Sequence, residues 1–401
     1  MPDLQPIVRP NASWQVCRLG ELVTLLRRGT APVYVDDSDV RAIGQRCVTD
    51  ADFDASRARP HSSRVMAKTL RPEIGDVLIN STGTGTIGRS VVFKDDAGSY
   101  IVDGHVTVAR LRQCEIRGRW LNDLLRSPAG QRYLESKCYA GSTNQVELSS
   151  AALAGLPIAL PPPDYQRRAE ELLEAVEAEI RATGRLVAKL RLLHESMLLT
   201  SFPHTPDTVA SLGSLVSEER PIVYGILMPG EHVSNGVPVV KVKDMKSGRI
   251  DRESLLRTSP AIDQEYRRSR LQTGDVLLSI RGTVGRVCLV PSSLNGANIT
   301  QDSARISVPP KICRYVAHYL TSPSAQRFIE SETVGLAVRG INLRDVRRIG
   351  IPTASEDEAT LIANRLDASQ AGIEREGSKL SKLSNVKAGI CLLYTSDAAD
   401  E

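Results

Sequence analysis

Three sets of side chains in this 401-residue chain have types and spacings that could do chemistry. The first is Gly83-Thr-Gly85-Thr-Ile-Gly88, a G-x-G-x-x-G pattern that cradles a pyrophosphate when a strand precedes it and a helix follows. The second is a set of cations: Arg57, Arg59, Arg64 and Lys68 early in the chain, and Arg267, Arg268, Arg270 and Arg281 later. Such groups neutralise backbone phosphates and make binding salt-dependent. The third lies in two glycine-led loops, Gly141-Ser-Thr-Asn-Gln-Val-Glu-Leu and Gly335-Leu-Ala-Val-Arg-Gly-Ile-Asn-Leu. Their Asn144, Gln145, Arg339 and Asn342 can make bidentate contacts with base edges or phosphate. The same residues serve equally well as turn formers and helix N-caps.

The glycine pattern fails as a dinucleotide site on its surroundings. Ser90-Val-Val-Phe follows it, which is strand chemistry, and a later copy carries Ile280 where the first has Gly83. Two strands joined by a tight glycine turn fit better. Exposed amides and the hydroxyls of Thr82, Thr84 and Thr86 could still meet a phosphate. No catalytic set is present: there is no Walker A run, no His-Glu-x-x-His and no Gly-x-Ser-x-Gly elbow. The six histidines do not recur at equivalent places. Asp76 and Asp275 do recur, each after a glycine at a strand start, where an aspartate caps a turn. Seven cysteines without a C-x-x-C pair suit a reducing cytoplasm and give no zinc site. No catalytic residue, metal or cofactor is expected of this chain, which reads as a protein that binds.

Charge supports a polyanionic partner through its placement. The net charge is only +4. From Arg41 to Arg71, however, seven Lys/Arg face three Asp, and from Lys241 to Arg286 eleven face six Asp/Glu. No apolar run reaches the 18 or so residues of a membrane span. Met1 to Pro10 lack a charged and then apolar leader.

The elements that must position these groups come in duplicate. Leu19-Gly-Glu-Leu-Val returns at Leu212, Gly75-Asp-Val-Leu-Ile at Gly274, Gly85-Thr-Ile-Gly-Arg at Gly282, Ser127-Pro-Ala-Gly-Gln-Arg at Ser322 and Gly155-Leu-Pro at Gly350. The offset stays between 193 and 199, so the chain is a tandem duplication. Each copy is α+β: Leu19–Leu26 suits a short helix, Gly75-Asp-Val-Leu-Ile-Asn a turn and strand, and 120–138 a helix broken at Ser127-Pro128. Each copy closes on a long helix. Between Asp164 and Thr200 there is no proline and one glycine, Gly184. Leu173, Val176, Ile180, Thr183, Val187, Leu190, His194 and Met197 form a heptad seam. Such a helix is roughly 55 Å long, a spacer. Ile362, Leu366, Ile373, Leu380 and Leu383 form a second seam, and the two are natural antiparallel partners. The expected parts are a globular domain at 11–163, a spacer helix at 164–201, a second domain at 207–352 and a distal helix at 356–390. Residues 391–401 have no counterpart in the first copy. They resemble a translated sequencing-library adaptor and are set aside, with the natural C-terminus expected elsewhere.

The ordered, duplicated set of motifs resembles the specificity subunit of Type I restriction-modification systems. It comprises Gly-Asp-Val-Leu followed by Gly-Thr-x-Gly, the glycine-led loop before a Pro-rich exit, and Pro-Pro-x-x-x-Gln-Arg at the start of a long helix. The likeness runs from Trp14 to about Ile390. It implies two target recognition domains, each reading half of a split site in double-stranded DNA, and two helices that pair antiparallel and set the unread gap. It also implies no catalysis by this chain. Two methyltransferase (modification) subunits and the restriction/translocase subunits would be the partners, carrying S-adenosylmethionine, ATP and Mg. The second glycine-led loop is longer in spacing and more hydrophobic than the family pattern.

On this view two basic domains engage successive major-groove faces, about 34 Å apart or a multiple of that. A coiled-coil scaffold with two protein-binding heads is the alternative, and it predicts no DNA affinity above that of a neutral protein. A dinucleotide enzyme predicts stabilisation by NAD or FAD.

Overall fold

The computed structural model describes residues 14–64, 69–95, 97–112, 114–141, 146–202, 209–246, 248–335 and 339–393. Contacts divide the chain into two units: Met1–Ala182 with Lys379–Glu401, and Thr183–Ser378. The division falls inside both long helices, so each unit owns a head and a piece of each helix.

In the first unit, strands Val23–Arg28, Val106–Leu111, Val77–Asn80 and Ser90–Val92 lie side by side in that order, all antiparallel. The strand Val77–Asn80 is buried throughout. Alternation along a strand sends successive side chains to opposite faces. Accordingly Val77 and Ile79 enter one core with the helix Gly118–Arg126, while Leu78 enters another with Ile43, Val91 and Phe93. A three-stranded sheet runs Arg59–Pro60, Val40–Ile43, Ser99–Val102, its first pair antiparallel and its second parallel. Gln15–Arg18 pairs with Pro157–Leu160 and closes the head. Leu19–Leu22 is helical, but the chain turns to strand at Val23, so the expected helix over Leu19–Leu26 is half right. The β-branched Val23 and Thr24 favour the strand once a partner strand is there to pair with.

The second unit repeats this plan. Val223–Tyr224, Ser303–Ile306, Val276–Ser279 and Val287–Leu289 form the four-stranded sheet. Leu256–Thr258, Val237–Val240 and Asn298–Ile299 form the three-stranded one, again antiparallel then parallel. Val209–Ser211 closes on Gly350–Pro352.

The repeated Ser-Pro-x-x-Gln-Arg motif has a structural purpose. Ser127 and Ser322 each N-cap a helix whose first residue is proline, accepting from Gly130 N and Ala325 N. The Gln131 and Gln326 amides donate to the carbonyls of Gly88 and Gly285 at 3.2 and 3.0 Å. The head helix is thus tied to the glycine turn in both copies. Gly88 has φ +80°, and a Cβ there would sit 2.3 Å from the Tyr139 hydroxyl, so only glycine fits.

The first long helix spans Pro163–Thr200 and the second Glu356–Leu393. Every expected seam residue on both is buried or half-buried, Leu173 and Thr183 among the most enclosed. Within the first unit Glu177 meets Lys387 at 2.7 Å and Glu179 meets Lys379 at 2.6 Å. Rising numbers on one helix match falling numbers on the other, so the pair runs antiparallel there. In the second unit His194 meets Ser369 at 3.2 Å. Gln166, from the Pro-Pro-x-x-x-Gln-Arg motif, is buried. It accepts from Arg117 N and donates to Glu115 O and Pro161 O, fastening the helix start to its head. Among the described residues no helix is long and apolar enough to cross a membrane. The second helix continues past Ile390 to Leu393; the rest of the 391–401 segment lies outside the described residues.

Candidate nucleic-acid interface

The glycine run at Gly83–Gly88 joins strands Val77–Asn80 and Ser90–Val92 as a hairpin. Gly83, Gly85 and Gly88 all take positive φ, and no helix follows. A pyrophosphate cradle needs that helix N-terminus, so the dinucleotide reading loses its physical basis. At the turn, Thr84 is exposed, whereas Thr82 is half-buried with its hydroxyl 2.8 Å from His105 Nδ1. Thr86 turns inward onto the carbonyls of Thr82 and Gly83.

The fold brings each glycine turn to the glycine-led loop of its own unit. In the first unit, Leu148 N donates to Ser81 O at 2.8 Å, and Arg28 bridges to Glu147 at 3.0 Å. In the second, Gly282 N donates to Arg339 O at 2.9 Å, and Ile341 N to Ile280 O. Arg281 and Arg339 therefore share one tip. Arg281 reaches Gln301 at 3.3 Å, and Arg339 lies 3.9 Å from Glu330. Asn342 is exposed and begins the helix Leu343–Arg348, its carbonyl accepting from Asp345 N and Val346 N. Asn144, Gln145 and Lys68 lie outside the described residues.

The other arginines divide by what they touch. Arg57 is exposed and pairs with Asp54 at 2.7 Å. The Arg59 guanidinium stacks 3.6 Å from the centre of the Tyr34 ring, whose hydroxyl donates to Asp103 at 3.0 Å. Burial, then Asp103, push the Tyr34 phenol up. Arg64 is exposed. Arg267 and Arg268 are exposed on the turn Arg267–Ser269. Arg270 points inward to buried Asp263, which also accepts from Asn298 at 2.9 Å. That side chain is part of a structural network, and sequence spacing could not separate it from its neighbours.

Two buried ion pairs brace the heads. Asp76 accepts from Arg110 at 3.0 and 2.9 Å, and Asp275 from Arg220 at 2.6 Å. Both aspartates also accept from a turn amide, Glu73 N and Gln272 N, as their place after glycine suggests. Arg305 is fully buried, and burial pushes its pKa down to about 10. Its Nη2 donates to Pro221 O and Arg268 O, which holds the Arg267–Ser269 turn in place. Nothing in the sequence marks Arg305: it stands in a strand where the first copy has Val108. Among the described residues no three His, Cys, Asp or Glu gather as a metal site.

The arrangement defines a class: a duplicated α+β protein with two sheet-built heads, each leading into one of two antiparallel helices. Comparison with known proteins gives that class its particulars. No family model matches the chain. Over 185 residues it is 29% identical to the specificity subunit of the Type I restriction enzyme EcoBI from Escherichia coli. That match takes in 45% of this chain and 39% of the relative, so the chain spans well under half the length of the curated relative it matches. Among solved structures, the S subunit of the type I restriction-modification system from M. genitalium superposes with TM-score 0.59 at 12% identity, covering 99% of this chain and all of that one. A chain from a study of type I R-M complex assembly and conformational transition gives 0.57 at 18% identity, with 97% and 99% covered. HsdS from Thermoanaerobacter tengcongensis gives 0.50 at 18%, with 96% and 97% covered. The likeness to specificity subunits read from the ordered motifs holds in sequence, and the chain has their two-domain fold.

Proposed function

We propose that this chain is the DNA-specificity subunit of a Type I restriction-modification complex. The observation that carries the reading is the internal duplication. Two heads of one topology, each running into a long helix, are suited to read two half-sites of a split sequence in double-stranded DNA. Phosphate contacts from exposed cations would supply salt-dependent affinity, and polar side chains at the glycine-led loops would supply sequence choice. The first long helix presents Leu172, Leu186, Leu192 and Leu193 outward from its seam, apolar surface that suits docking of modification subunits. This chain would do no chemistry. Methyl transfer, ATP hydrolysis and cleavage would belong to modification and restriction/translocase subunits, which bring S-adenosylmethionine, ATP and Mg. The reading places the complex in the cytoplasm.

The test is a methylome. The chain is expressed with the adenine methyltransferase subunit encoded beside it, in a host lacking such systems, and methylated adenines are mapped. One split motif with a fixed gap is the expected result, and deleting one heptad from each long helix should change the gap and spare the half-sites. Assembly without methylation of any motif would sink the reading. A chain that neither assembles nor binds DNA would favour a scaffold with two protein-binding heads.

A further inference from the structure

The second unit contains a groove with a volume of about 510 Å³, lined by His232, Lys241, Lys243, Arg252 and Arg257 with a single carboxylate, Glu253. The fold assembles it from separate segments. Arg257 lies on the strand Leu256–Thr258, opposite Pro238 of the neighbouring strand. Lys241 follows that neighbour directly and opens the turn Val242–Asp244, which carries Lys243. Arg252 is held from the far wall, its Nη1 donating to Ser293 Oγ at 2.8 Å, and Arg257 donates to Gly236 O at 3.0 Å. Both guanidinium groups are therefore positioned by neutral acceptors, which leaves their charge uncompensated.

Other cations of this unit are neutralised. Arg220, Lys246, Arg249 and Arg270 each sit in an ion pair, with Asp275, Asp251, Glu374 and Asp263. Among the described residues none of Lys241, Lys243, Arg252 and Arg257 does. Four like charges around one groove repel one another, and a run of phosphates relieves that repulsion. Beside the groove stands an apolar tip. Leu227 is 48% and Met228 83% exposed. Their loop is fixed to the groove's wall by Thr258 Oγ1 donating to Pro229 O at 2.7 Å and Val233 N to Arg257 O at 2.9 Å. Fixed cations next to exposed apolar side chains match a duplex, with phosphates on one side and base edges and thymine methyls on the other.

Two of the groove's cations, Lys241 and Arg257, belong to one copy of the repeat. The parallel pairing places Ile43 where the second unit has Val240, so Gly44 stands for Lys241 and Pro60 for Arg257. We infer that this groove is the phosphate-gripping face of the second unit, with Leu227 and Met228 bearing on the bases beside it. The inference rests on the DNA-specificity reading and assigns the contact to residues other than the Arg267–Arg268 turn.

The experiment titrates the full chain with a 60-base-pair mixed-sequence duplex across a salt series, with thermal melts of every variant. Lys243→Ala/Arg252→Ala/Arg257→Ala is expected to weaken binding at least about tenfold at moderate salt and to lower the salt slope by roughly 2 to 3, since each phosphate contact contributes about 0.9. Arg267→Ala/Arg268→Ala should leave the slope unchanged. Leu227→Ser/Met228→Ser should weaken binding without altering the slope. Lys243→Glu alone, at an exposed side chain, gives the same direction if the triple variant melts early. Wild-type binding with an unchanged slope in the groove variants overturns the groove and spares the specificity reading. No duplex binding by the wild type overturns both.

Discussion

Arg119 and Glu177 form a two-pronged ion pair, Nη1 to Oε2 at 3.1 Å and Nη2 to Oε1 at 2.7 Å, joining the head helix of the first unit to its long helix. Asp123 shares the guanidinium at 2.7 Å, and Lys387 of the second long helix reaches the same carboxylate. Burial works to raise Glu177, but the hydrogen bonds from Arg119 and Lys387 outweigh it and hold the group at about 2. At Asp123 burial wins and the carboxyl goes up. The folded pKa of Glu177 lies below the ordinary 4.5, so its contribution is present above pH 4.5 and lost as pH falls toward 2. Glu177→Gln should lower the unfolding free energy of the first unit by on the order of 3 kcal/mol at neutral pH and remove that acid step. Urea unfolding at pH 7 and pH 3 measures both.

A second acid step belongs to the second unit. His194 lies in the helix seam against Ser369, close to His318, which is bonded to Asp367 beside Arg314; Glu195 is the other charge near it. Burial and then His318 push the His194 pKa below 6.5. The unfolded chain therefore takes up a proton first. Stability is full above about pH 6.5 and falls as pH drops through the lowered folded value. His194→Leu should flatten melting temperature between pH 7 and 5 and leave the lower step in place.

The buried aspartate of each head has a guanidinium partner from a different place in the chain. Arg110 follows Ala109 in the strand beside Asp76; the second unit has Ser307 in that place, and Arg220 arrives from elsewhere to bond both Ser307 and Asp275. Arg220→Ala should cost about 3 kcal/mol, because it leaves a buried carboxylate unpaired. Adding Ser307→Arg should recover part of that loss, as seen in thermal melts of the single and double variants.

The glycine turn can be tested for structure against contact. Gly88→Ala meets the Tyr139 hydroxyl and a positive φ together and should destabilise the first unit by more than 1 kcal/mol. Gly85 also has positive φ but nothing within 4 Å, so Gly85→Ala should cost only about 1 kcal/mol. Differential scanning of both variants separates the two cases.

Much of the fold was legible. The seam from Leu173 to Met197 and the Gly-Asp-Val-Leu strands are local patterns, and local patterns survive in the fold. Asp76 reads correctly as a turn cap, yet its bond to Arg110 joins positions 34 apart in the chain and leaves no periodic trace. The helix expected over Leu19–Leu26 stops at Leu22 because a long-range strand partner decided Val23 onward. In the site, residue type showed a basic stretch between Lys241 and Arg286, but not that Arg270 is spent on Asp263 while Arg257 and Lys243 line one groove. That sorting follows from tertiary contacts, and a single sequence carries no sign of them.

The division inside the long helices has a consequence for synthesis. The first unit includes Lys379 and Lys387, so its last parts leave the ribosome after the whole second unit. Until then Glu177 has Arg119 but no lysine, and Glu179 has no cation from the second helix. The half made first is the half finished last.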